Sequence, residues 1–89
     1  MSYNVTDFLI NKGNKKIYEI TVNDSNCENI TLKYFCEYDG SFINSFENLS
    51  DIVISFTDIK NFFEEIGEEN FRKKRKFLKK FKEYYLTKM

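Results

Sequence analysis

The chain has 89 residues, enough for one domain with a small core of its own. Ten Phe and six Tyr, with no Trp and no Pro, supply large buried area per residue and exclude a disordered segment. Its formal net charge of zero hides a split: from Arg72 onward there are nine bases and one acid, and before it five bases and thirteen acids, +8 against −8.

The first half of the chain reads as strands. Val5, Phe8 and Ile10 lead to a turn at Asn11-Lys12-Gly13-Asn14, and Ile17, Tyr18, Ile20 and Val22 continue in extended form. After a polar loop at Asn23 to Asn26, residues 29 to 38 alternate. Ile30, Leu32, Tyr34, Cys36 and Tyr38 share one face, and Thr31, Lys33, Phe35 and Glu37 share the other. Asp39-Gly40 matches a two-residue hairpin turn, which pairs Glu37 with Phe42 and Cys36 with Ile43. Phe35, Phe42 and Phe46 then share a face opposite Leu32, Tyr34, Cys36 and Ile43. Neither face of such a hairpin is polar throughout. Helices cover both faces, a bulge shifts the register, or one face meets a partner, for instance a second copy of the chain.

Ile52 to Phe56 form one more short strand, and then the period changes. Thr57 or Asp58 caps a helix that carries Ile59, Phe62, Phe63 and Ile66 at helical spacing and ends at Gly67. A second helix begins near Glu69. Phe71, Phe77, Leu78, Phe81, Tyr84 and Tyr85 fall within an arc of about 140° at ~100° per residue and are read as core. Lys74 lies inside that arc and has to snorkel. The expected architecture is α+β in a single domain spanning residues 1–89. A small antiparallel sheet of four or five strands over 1–56 precedes two helices over 57–88, the last basic and amphipathic.

The charge split supplies two candidate binding faces. The basic one is Arg72, Arg75, Lys76, Lys79, Lys80 and Lys82. Arg72–Arg75, Arg72–Lys76, Arg75–Lys79, Lys76–Lys80 and Lys79–Lys82 are like-charged pairs at helical spacing, each costing about 0.2–0.5 kcal/mol. Glu68 and Glu69 sit four residues before Arg72 and Lys73 and can neutralise the first turn. The remaining surplus calls for an anionic partner. Lys outnumbers Arg seven to two in this block, which favours general electrostatics over base readout. The acidic candidate is Asp51, Asp58, Glu64, Glu65, Glu68 and Glu69, carboxylates that can imitate phosphates on a partner.

Catalysis has no footing in the sequence. There is no His, and Gly13, Gly40 and Gly67 stand alone, so no phosphate-binding glycine loop exists. Cys36 lies on an apolar strand face, and Cys27 sits beside Asp24 and Glu28, where negative charge suppresses a thiolate. Nine residues of strand would separate the two thiols by up to ~30 Å. A disulfide needs Cα atoms within about 7 Å, so no bridge is expected between them. No metal, cofactor or enzymatic role is expected. No stretch approaches the ~20 apolar residues of a membrane span, and no signal peptide is apparent, so the cytoplasm is the expected compartment.

In size, composition and lack of catalytic residues, the chain resembles in general character the small proteins of phages and other mobile elements that inhibit host defence enzymes. The Asn, Lys, Ile and Phe content fits an AT-rich coding genome. The expected function is therefore a non-catalytic, anti-CRISPR-like binding protein. It docks a charged face on a protein or nucleoprotein complex. Alternatives are direct, non-specific nucleic-acid binding by the Lys-rich helix, and self-association that buries Phe35, Phe42 and Phe46 in a dimer.

Overall fold

The computed structural model describes residues 3–38, 42–43, 49–66 and 69–88. It is α+β, as expected: an antiparallel sheet and two helices. In chain order the elements are β1 (Phe8–Asn11), β2 (Lys16–Asp24), β3 (Asn29–Tyr38), β4 (Phe42–Ile43), β5 (Ile52–Ser55), α1 (Phe56–Phe62), β6 (Phe63–Glu65) and α2 (Glu69–Lys88). The sheet runs β4-β3-β2-β1-β6, with β5 also on β3.

The β1–β2 hairpin closes where the sequence placed it. The Asn11 carboxamide oxygen accepts from the amides of Gly13 at 2.8 Å and Asn14 at 3.1 Å, an Asx turn that holds the reversal. Lys15 takes the left-handed conformation, φ 61°, and the pairing resumes at Ile10↔Ile17. Between β2 and β3, the Asp24 carboxylate accepts from the Cys27 amide at 3.1 Å in the same way.

Both faces of the sheet are apolar, and both are covered. One cluster contains Leu9, Tyr18, Ile20, Ile30, Leu32, Tyr34 and Phe63, closed by Ile59 of α1 with Phe56 packed beside it. The other contains Phe8, Ile17, Phe35 and Cys36, closed by Phe71 and Leu78 of α2. The helices therefore lie on opposite faces of the sheet.

The even alternation predicted for β3 breaks at Phe35. Ile17 pairs with Cys36 and Tyr18 with Tyr34, so β3 carries one extra residue there, a β-bulge. The bulge turns the following residues over. Tyr34 stays with Ile30 and Leu32, while Phe35 and Cys36 both enter the second cluster and Tyr38 packs against it. Phe35 is 5% exposed, with its ring edge-on to Phe8 and Phe71, so it forms no open self-association face.

The register across β3 and β4 is also shifted by one from the prediction. Tyr38 pairs with Phe42 and Glu37 with Ile43, which leaves three residues between the strands instead of two. The predicted turn at Asp39-Gly40 and the predicted partner Phe46 lie outside the described residues, as does Gly67. The bulge and the register shift offset one another, since Tyr38, the partner of Phe42, packs against the cluster that holds Phe35.

Residues 55–66 also depart from the predicted helix. Ser55, not Thr57 or Asp58, caps α1, its hydroxyl accepting from the Asp58 amide at 3.2 Å. The helix stops at Phe62, and Phe63 turns extended, φ −127° and ψ 157°. β6 then pairs with β1 through Asn11↔Phe63, Ile10↔Glu64 and Leu9↔Glu65. Pairing satisfies the β1 backbone edge and seats Phe63 edge-on against Tyr18, a gain that continued helix would forgo. This short strand also carries the chain past the sheet edge. Phe63 packs in the α1 cluster, while Ile66 packs against the α2 cluster.

Candidate functional site

Helix α2 meets the sheet along a narrow seam. Phe71 and Leu78 are seven residues apart, two turns, and both are buried. The next position on that line, four residues after Leu78, is Lys82. Lys82 was expected on the cationic face, yet it is only 6% exposed. Its ammonium donates to the carbonyl oxygens of Phe35 at 2.5 Å and Tyr34 at 3.3 Å, and lies 4.2 Å from the centroid of the Tyr34 ring. Those carbonyls belong to the bulge. On the outer edge of β3, β5 pairs residues 29–32 and β4 pairs residues 37–38, so the stretch between them has no strand neighbour among the described residues. Lys82 supplies donors there. The signal was in the spacing, because 71, 78 and 82 lie on one helical line, but a charged residue argued the other way.

Lys79 is also committed to the fold. Its ammonium meets a Glu19 carboxylate oxygen at 2.7 Å and lies 6.0 Å from the centroid of the Phe8 ring. The other predicted cations, Arg72, Arg75, Lys76 and Lys80, are exposed, as are Lys73 and Lys74. None of these six forms an ion pair with a described residue. Glu69 is exposed and does not close on Lys73, and Glu68 lies outside the described residues.

Beside this row, a groove of about 450 Å³ is lined by Thr6, Phe8, Glu19, Arg72, Lys73, Arg75, Lys76 and Lys79. A smaller hollow of about 120 Å³ lies between Arg72 and Arg75 on one side and Asp7 and Glu65 on the other. The arrangement is an electropositive flank with acids at its rim, able to hold an anion by charge and by Arg donors.

The aromatic arc does not stay in the core as predicted. Phe77 is 69% exposed and Tyr84 57% exposed. Phe77 and Phe81 stack in parallel, with ring centroids 6.0 Å apart and planes 12° apart. Lys74 stands in solvent beside them and has no need to snorkel. The seam against the sheet is narrower than the arc, so its outer half faces out.

The acidic candidates are dispersed. Asp58 sits in the first turn of α1, Glu64 and Glu65 on β6, and Glu69 in the first turn of α2, all exposed. Asp51 is exposed just before β5, on the β3 side of the sheet, whereas β6 is at the β1 edge. Among the described residues, no single surface gathers all of these acids.

Both cysteines are free thiols. Burial pushes Cys36 from the ordinary 9.0 up to about 12, against the opposing charge of Lys82, with Glu37 pushing it further up. Exposed Cys27 is raised by its hydrogen bond to Asp24 and by that carboxylate's charge. Among the described residues, no three of His, Cys, Asp or Glu stand together as a metal site, and no helix is long and apolar enough to cross a membrane. No family model, curated protein or solved structure matches this chain.

Proposed function

We propose that this protein is a non-catalytic binding protein whose docking face is the exposed side of α2, taken as a basic helix with one seam against the sheet. The observation that supports the reading is the surplus of exposed cations at Arg72, Lys73, Lys74, Arg75, Lys76 and Lys80. The fold employs Lys79 and Lys82 for its own packing and leaves these six to repel one another at helical spacing. An anionic partner offsets that repulsion. The acidic face is the weaker candidate because Asp51 lies on the β3 side of the sheet and Glu64 and Glu65 at the β1 edge.

The partner class is a larger nucleic-acid-handling complex, occupied stoichiometrically in the manner of phage or mobile-element inhibitors of host defence, in the host cytoplasm. Direct nucleic-acid binding is the second reading, favoured by exposed Phe77 among the lysines.

The test uses immobilised heparin as the polyanion. The wild-type protein is expected to be retained and to elute with salt. The variant Arg72→Glu, Arg75→Glu, Lys76→Glu, Lys80→Glu should pass through at low salt with an unchanged circular dichroism spectrum. Glu64→Lys, Glu65→Lys should be retained at least as well as wild type. Equal retention of wild type and the α2 variant overturns the reading.

A further inference from the structure

We infer that the anion docked on α2 is a single-stranded nucleic acid, with Phe77 as the ring on which a base stacks; this rests on the docking role proposed for the helix. Phe77 is 69% exposed, and its ring contact among the described residues is the parallel stack on Phe81. The buried rings behave differently. Phe8, Phe35 and Phe71 meet edge to face, with planes 61° to 87° apart. A parallel pair on the surface presents a flat π face, and a nucleobase extends such a stack whatever its identity.

Cations stand where a strand's phosphates would need them. Lys73 and Lys74 lie four and three residues before Phe77, and Lys80 three residues after it, so their Cβ atoms are about 5–6 Å from that of Phe77. Tyr84, two turns further along the helix, places a second exposed ring on the same side. Lysines carry this surface, as compact point charges that neutralise phosphates without fixing base identity.

Ring and charge together select the partner. A duplex hides its base faces within the stack and would use the lysines alone. A bilayer rewards apolar area irrespective of ring orientation and favours a broad apolar face, whereas this strip lies between Lys74 on one side and Lys73 and Lys80 on the other.

Fluorescence anisotropy of a labelled 15-mer of deoxythymidine tests the inference, beside a duplex of equal length and phosphatidylserine vesicles. The single strand is expected to bind most tightly, with affinity falling steeply as salt rises. Phe77→Ala should weaken it about tenfold, within the range that one stacked base contributes. Phe77→Trp should restore it, and both should keep wild-type retention on heparin. Equal binding by Phe77→Ala and wild type overturns the inference, as does duplex binding equal to single strand or vesicle binding without oligonucleotide binding. If heparin retention survives such a result, the docking role of α2 stands and only the single-strand assignment falls. Loss of both overturns both.

Discussion

At the scale of single residues, Lys82 and Lys79 show how two lysines one turn apart can do unlike work. Lys79 pairs with Glu19 near the surface, where solvent screens the attraction, while Lys82 donates from a buried position to two bulge carbonyls. Lys82→Met keeps the aliphatic stem but leaves both oxygens without those donors. We expect it to cost about 1–3 kcal/mol, against about 0–1 kcal/mol for Lys79→Met, measured by urea denaturation. Equal losses would show that the bulge does not depend on the ammonium. Cys36 makes a second residue-scale prediction. At pH 8 one thiol, Cys27, should react with a chromogenic disulfide reagent in the native protein, and the second only after unfolding. Because burial raises the folded thiol from 9.0 to about 12, the unfolded chain loses its proton first as pH rises. Stability should therefore fall between about pH 9 and 12, and be unaffected by this group below that window. The upward shift of both thiols was legible in the sequence, since neighbouring acids and an apolar strand are local features. The role of Lys82 was not, because the bulge that needs it lies 47 residues away in the chain.

At the scale of elements, α2 separates what hydrophobic spacing predicts from what packing uses. The helix itself was legible: it begins at Glu69, where the periodicity predicted its start. Which part of its aromatic arc is buried was not, because the width of the seam is set by the sheet beneath. Phe71 is 2% exposed and edge-on to Phe8 and Phe35, whereas Phe77 is 69% exposed. Phe71→Ala should cost about 3–5 kcal/mol, and Phe77→Ala should stay within about 0.5 kcal/mol of wild type in thermal unfolding. Similar costs would mean that the outer arc packs after all. Residues 59–66 teach the complementary lesson. Ile59, Phe62, Phe63 and Ile66 carry helical spacing, but only Ile59 and Phe62 are in helix. Phe63 gains more as a strand residue, paired with Asn11 and packed on Tyr18, than one further helical turn would give. Local period loses to an open sheet edge.

At the scale of the whole molecule, the doubly apolar sheet organises everything else. The residues of β1, β2 and β3 point apolar side chains both ways, Phe8 against Leu9 and Ile17 against Tyr18, so each face needs a cover. The chain meets the demand with one helix per face, and β6 carries it around the edge. The basic segment is thereby presented on the α2 face, while α1 with Asp58 occupies the opposite face. A molecule with no net charge thus carries a cationic flank, and its association with a polyanion should be governed by that flank rather than by the net charge. By itself the sequence determined the α+β class, the charge division at Arg72, the β1–β2 hairpin and the start of α2, because each depends on neighbours within a few residues. Only the tertiary structure decided that Lys82 is buried, that Phe77 faces solvent, that Asp51 lies apart from Glu64 and Glu65, and that Phe35 is core. Those outcomes depend on register, bulge and the sheet surface presented to each helix, which are set by contacts distant in the chain.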